Sequence, residues 1–176
     1  MKPIVDMDQG EVAAFVQNHL RTRGIDVVLS GGAVVGIYTN GLYVSRDVDL
    51  VNVRFADRRK IEVAMREIGF VSVGRHFEHP DTIHIIEFPS GPLTLGDEKV
   101  VELNEISLET GKLIMLTPTD CVRDRLSHYF HWGDQQCLAQ AKLVADHHDI
   151  YWGKIREWAK REGQEEALEG FKNNLI

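Results

Sequence analysis

The sequence is short of the features that mark secreted, membrane-spanning or nucleic-acid-coating proteins. Only two cysteines, Cys121 and Cys137, occur in 176 residues. That is too few for a disulfide framework and suits a reducing cytosol. Both fall in helical patterns and read as small core residues. No apolar run approaches the roughly 20 residues of a membrane helix. The N-terminal MKPIVDMDQGEV is too acidic and too poor in apolar residues for a signal peptide. A cytoplasmic protein with no membrane partner is therefore expected. Basic residues are outnumbered, 20 Lys and Arg against 27 Asp and Glu, for a net charge of -7. Broad DNA or RNA binding is disfavoured, because neutralised phosphates dominate such affinity. Internal repeats, low-complexity stretches and heptads are absent. So are a nucleophile elbow, a G-x-x-x-x-G-K-[ST] loop and an H-E-x-x-H helix.

At 43% apolar and 27% charged residues, the chain has the composition of an ordinary globular protein. Its length allows one domain with a core, or a core with a helical appendage. The informative stretch runs from Val27 to Val53. Val27-Val28-Leu29 reads as a buried strand. Gly31-Gly32 then allows a tight turn, and Ala33 to Tyr38 suits a short apolar helix. After a polar loop, Asp47-Val48-Asp49-Leu50-Val51 alternates acid and apolar, which places both carboxylates on one strand face. Two ionised carboxylates about 4 Å apart repel by roughly 4 kcal/mol at an effective dielectric near 20. A hard dication with oxygen ligands removes that cost. A glycine turn leading into a helix offers unpaired N–H groups to a phosphate. Taken singly, either feature is usually a turn or a surface strand; their order and spacing together point to phosphoryl-transfer equipment.

Ser30-Gly31-Gly32-Ala33 followed by Ser45-Arg46-Asp47-Val48-Asp49-Leu50 resembles the signature of the nucleotidyltransferase superfamily, closest to its minimal, bacterial AbiEii-like branch. The clear match covers about two dozen residues, with weaker echoes in the C-terminal helices. One departure is Ala33, where the family often has Ser or Thr.

The resemblance implies an α/β (α+β) fold. Residues 1–105 would form a nucleotidyltransferase-like mixed sheet flanked by helices, with residues 106–176 a helical region packed on it. It implies Mg2+ (or Mn2+) and transfer of a nucleoside monophosphate from an NTP to an acceptor hydroxyl. The acceptor stays open between a small molecule, a protein side chain and an RNA end. Asp47, Asp49 and a third carboxylate would hold metal and do the chemistry. Ser30, Gly31, Gly32, Ser45 and Arg125 would contact the nucleotide. The competing reading is a silent binding module or toxin–antitoxin component. A homodimer and a cognate partner protein are both left open.

Glu87 is the acid inside the β-prone stretch Thr82 to Phe88 and is the third-carboxylate candidate, with Glu98 and Glu102 as rivals. Arg125 stands in Asp124-Arg125-Leu126, where the family pattern has a triphosphate-reaching cation; its other reading is a helix cation paired with an acid. Asp134-Gln135 is expected to fix a loop or line the acceptor pocket. His76, His79, His84 and His147-His148 lack the spacing of a structural zinc site. Arg54, Arg58, Arg59 and Lys60 read as a solvated helix start.

Around these, helices are expected over Asp8–Thr22 with a capping box, Ala56–Ile68, Pro118–Trp132, Gln135–Asp146 and Ile150–Glu162. Strands are expected over 70–77, 82–88 and 100–103, with a strand or turn segment over 106–116. A peripheral tail is expected after Gln164.

Overall fold

Asp8 accepts the Glu11 N–H, and the Glu11 carboxylate accepts the Asp8 N–H in return. This capping box satisfies two donors of the first turn and starts α1 (Gln9–Thr22). The structure, a computed structural model, describes residues 2–173 and 175. Val12, Val16 and Leu20 of α1 are fully buried, the stripe their helical spacing requires. The chain continues through β1 (Val27–Ser30), α2 (Gly31–Tyr38), β2 (Asp47–Asn52) and α3 (Arg58–Glu67). Three short strands follow: β3 (Val71–Val73), β4 (His76–Glu78) and β5 (Ile85–Glu87). A separate ribbon comprises β6 (Thr94–Leu95) and β7 (Glu98–Lys99). β8 (Leu103–Leu108) and β9 (Gly111–Leu116) precede α4 (Pro118–Trp132), α5 (Gln135–His147), α6 (Trp152–Arg161) and α7 (Glu165–Lys172).

Seven strands form one mixed sheet in the order β3-β4-β5-β2-β1-β9-β8. β2 is central, antiparallel to β1 and parallel to β5. Leu29, Val48, Leu50 and Ile86 join the main core, so strand alternation turns Asp47, Asp49 and Glu87 to the opposite face.

Next to the Leu29–Met115 register of β1 and β9, a side chain takes the place of ladder bonds. Buried Gln17 donates to the carbonyls of Val27 and Ile114 at 2.9 Å each and accepts the Ile114 N–H at 2.7 Å. One amide thereby joins α1 to two strands.

The C-terminal helices are tied on by ions. Asp120, fully buried, holds Arg123 at 2.8 Å and Lys154 at 2.9 Å. Arg123 and Arg161 both reach Glu98 on β7. Buried charge is tolerated only when paired in this way. No helix among the described residues is long and apolar enough to cross a membrane.

Several expected elements differ in detail. The segment 70–77 is a hairpin rather than one strand, broken at Gly74, whose φ is +61°. Val100–Glu102 lies outside any strand, and the ladder begins at Leu103. Residues 106–116 contribute two strands, so the division after residue 105 falls inside β8. The tail is not peripheral: Leu168 and Phe171 of α7 are buried, and Phe171 lies against Trp152 at 6.3 Å between ring centroids. Leu168 and Phe171, three apart on a helix that also carries three glutamates, were enough to dock it.

Gln17→Leu is expected to lower the unfolding free energy by about 3 kcal/mol, because one buried N–H and two carbonyls lose their partner. A urea transition within about 0.5 kcal/mol of wild type would show that the amide is dispensable.

Candidate active site

β2 and β5 lie side by side with Asp49 in register with Glu87 and Asp47 with Ile85. Residues in register on neighbouring strands share a face, and Asp47 shares it with Asp49 through the two-residue period. Asp47 is exposed, while Asp49 and Glu87 are half-buried. None of the three carboxylates makes a hydrogen bond or ion pair among the described residues. Burial first, then the Glu87 carboxylate, pushes the Asp49 carboxyl up to about 6; Arg125 pulls the other way, and Asp47 and Asp124 add to the rise.

The turn from β1 to α2 meets this acid directly. Gly31 has φ +73°, and a Cβ there would stand 2.2 Å from Asp49 Oδ2. Glycine is therefore required twice, for the left-handed backbone and for the space. Of the glycine pair, Gly31 has the positive φ and Gly32 does not. At Gly32 a Cβ would meet the Tyr43 ring at 3.2 Å and Ser45 at 3.4 Å. Asp49 thus packs against the N-terminal turn of α2, whose free N–H groups and dipole favour an anion.

The remaining nucleotide candidates are placed as follows. The Ser30 hydroxyl bonds the Asp49 carbonyl at 3.5 Å across the strands. Ser45 Oγ accepts the Asp47 N–H at 3.2 Å, an Asx-like clasp at the strand entry. Ala33 is fully buried, so its position faces core rather than the turn's mouth. Arg125 is buried and nearly saturated. Its Nε and Nη2 donate to Asp124 Oδ2 at 3.1 and 2.5 Å, and its Nη1 to Gln140 at 3.3 Å and the Cys137 sulfur at 3.6 Å. Of five N–H groups, one is left over. It is both the acid-paired cation and a charge felt at Asp49.

Asp134 does fix a loop: its carboxylate caps α5 by accepting the Gln136 and Cys137 N–H groups at 2.9 and 3.1 Å. Glu98 and Glu102 are engaged elsewhere, with Arg123 and Arg161 and with Lys154. Among the histidines, His76 pairs with Glu78, His79 lies on Phe70, and His84 is buried on the other face from Glu87. Of the basic cluster, Arg54 pairs with Asp26 and Arg58 with Glu62.

Three contributors were not legible in the sequence. Gln9 at the start of α1 donates to the Ser45 and Asp47 carbonyls at 2.7 and 3.3 Å, holding the entry to β2. Tyr43 lies over Gly32 and accepts from Gln136 at 3.1 Å, joining the α2–β2 loop to α5. Asp124 acts on Asp49 from α4. All three depend on contacts between distant segments, and no local pattern announces them.

Among the described residues, no three His, Cys, Asp or Glu side chains are grouped so that together they could hold a metal ion. Mg2+ needs fewer protein ligands: it takes one or two carboxylates and fills its shell with water and substrate phosphate. The unpartnered Asp49 with its carboxylate neighbours fits that open arrangement.

The fold has known counterparts. An antigenic nucleotidyltransferase-like protein from Paracoccidioides brasiliensis superposes with a TM-score of 0.56 at 18% identity, over 76% of this chain and 72% of that one. The antibiotic-resistance factor ANT(2'')-Ia superposes with a TM-score of 0.51 at 10% identity, over 89% and 88%. No protein-family model and no curated protein matches the sequence. The chain therefore has a nucleotidyltransferase-like fold, a seven-stranded mixed sheet flanked by helices.

Two outcomes follow from Asp49. Between about pH 4 and pH 6 the folded protein keeps a proton on this carboxyl that the unfolded chain has lost. This group therefore makes stability fall as pH rises through that window, by up to about 3 kcal/mol. Asp49→Asn should flatten the slope and raise the melting temperature at pH 7.5; thermal melts across pH check it, and an unaltered slope would refute it. Gly31→Ala should lower the melting temperature by several degrees, since the new methyl has no space and no relaxed φ.

Proposed function

We propose that the protein is a metal-dependent nucleotidyltransferase that moves a nucleoside monophosphate from an NTP to an acceptor hydroxyl. The observation carrying this reading is the set of three unpaired carboxylates on one face of adjacent strands, beside a glycine turn that opens a helix. Asp47 and Asp49 would hold Mg2+, with Glu87 completing the site. The cation, when bound, neutralises phosphate charge and stabilises the charge that develops during displacement. The α2 N-terminus presents its free N–H groups to the phosphates. Glu87 accepts the proton of the attacking hydroxyl, so that the acceptor oxygen replaces pyrophosphate at the α-phosphorus. Gln9 and Ser45 hold the strand entry carrying Asp47, and Gly31 keeps the approach to Asp49 open. Asp124 is ion-paired with Arg125, whose charge offsets part of that of the carboxylates, and the one remaining Arg125 N–H is the group that would contact a phosphate.

Membership of the AbiEii-like branch, an acceptor among small molecules, proteins or RNA ends, and a cytoplasmic site of action belong to this proposal. The competing reading, a silent nucleotide-binding module, is favoured by one observation: Ala33 is sealed in the core where the family often presents a hydroxyl. It retains metal and nucleotide binding but releases no pyrophosphate.

The test is calorimetric binding of ATP with and without Mg2+, alongside pyrophosphate release in the presence of candidate acceptors. Wild type is expected to bind Mg–ATP more tightly as pH rises past 6, when Asp49 gives up its proton. Asp47→Asn with Asp49→Asn should abolish the Mg2+-dependent part. Glu87→Gln should keep the affinity and lose about a hundredfold in turnover, the usual scale for a general base. Mg–ATP affinity unchanged in the double variant would remove the metal assignment.

A further inference from the structure

The last residue of α4 is the tryptophan that the fold leaves outside. Trp132 is 73% exposed, whereas Trp158 is fully buried and Trp152 half-buried. Tryptophan is among the most buried side chains on average, and nothing in the core accounts for its placement. Its position along the helix is informative. Asp124, His128 and Trp132 recur every four residues and so form one row on α4. Four residues after Trp132, Gln136 donates to the Tyr43 hydroxyl, and Tyr43 lies over Gly32, so the end of α4 is tied to the glycine turn. His128 Nδ1 bonds the Asp124 carbonyl at 2.9 Å, and the His128 ring centroid lies 5.2 Å from that of Trp132. His131 flanks the indole on another side at 6.0 Å.

The platform is rigid. Gly133, with φ +66°, ends α4, and Asp134 caps α5 one residue later. We infer that Trp132 is the stacking platform for the nucleobase of the triphosphate whose phosphates lie at Gly31 and Asp49. This rests on the nucleotide-transfer reading above and adds the base-binding residue to it. Stacking on an exposed indole accepts any base, because every base has a π-face, and favours the larger purines.

The experiment compares Mg–ATP, Mg–UTP and Mg–tripolyphosphate, which has no base, on wild type, Trp132→Ala and Trp132→Phe. Trp132→Ala should weaken Mg–ATP about tenfold, the scale of one base–aromatic stack, and Mg–UTP less. It should leave Mg–tripolyphosphate affinity and the melting temperature unchanged, and Trp132→Phe should recover most of the loss. ATP should also quench indole emission in wild type but not in Trp132→Phe, where two tryptophans remain. If Mg–ATP binds wild type and Trp132→Ala equally, or if ATP and tripolyphosphate weaken alike, the platform is overturned while the nucleotide reading stands. If wild type binds neither probe, both fall.

Discussion

The contact between the Asp49 carboxylate and the bare Cα of Gly31 is the constraint on which the rest of the site depends. A side chain at residue 31 would have to pass through Oδ2, so the acid and the turn can coexist only if the turn is glycine. The acid in turn is held there by β2, clamped between β1 and β5 with Leu50 and Val48 in the core. A half-buried carboxylate without a hydrogen bond is an unfavourable thing to build, and its burial pushes the carboxyl up to about 6. Folding stability is given up at this one spot. Such local conflict is what distinguishes a functional site from a structural one.

The helical half of the chain makes the opposite choice. Its buried acids are paired, Asp120 with Arg123 and Lys154 and Asp124 with Arg125, while Glu98 of β7 takes Arg123 and Arg161. These pairs join α4, α6 and β7, and the Arg125–Gln140 bond ties α5 to α4. Arg125 shows the division of labour. With four of its five N–H groups spent on α4 and α5, it holds those helices together and lends its charge to Asp49 from a distance. α5 also carries Tyr43's partner Gln136, so the loop after α2 is fastened to the same helices.

Much of this was written locally. The capping box at Asp8, the Thr117-Pro118 start of α4, and the Gly133-Asp134 break each contain their own hydrogen-bond logic within four residues. The Asp-x-Asp alternation declared which face its carboxylates share, because a strand has no other way to present residues two apart. The glycine pair announced a turn, although which glycine needed the left-handed backbone depended on where Asp49 came to rest.

What the sequence alone could not decide was adjacency. That Glu87, rather than Glu98 or Glu102, stands beside Asp49 follows from β5 choosing β2 as its parallel neighbour, a pairing of residues 38 apart (Asp49 with Glu87) that leaves no mark in either strand. Gln17 as a substitute for ladder bonds, Gln9 as the clasp on β2, and the docking of α7 through Leu168 and Phe171 are of the same kind. Local sequence determined the elements and the chemistry that each could offer, since those are set by short-range sterics and hydrogen bonds. The tertiary structure determined which of those offers meet, since that is set by burying apolar faces against one another over distances the local pattern does not encode.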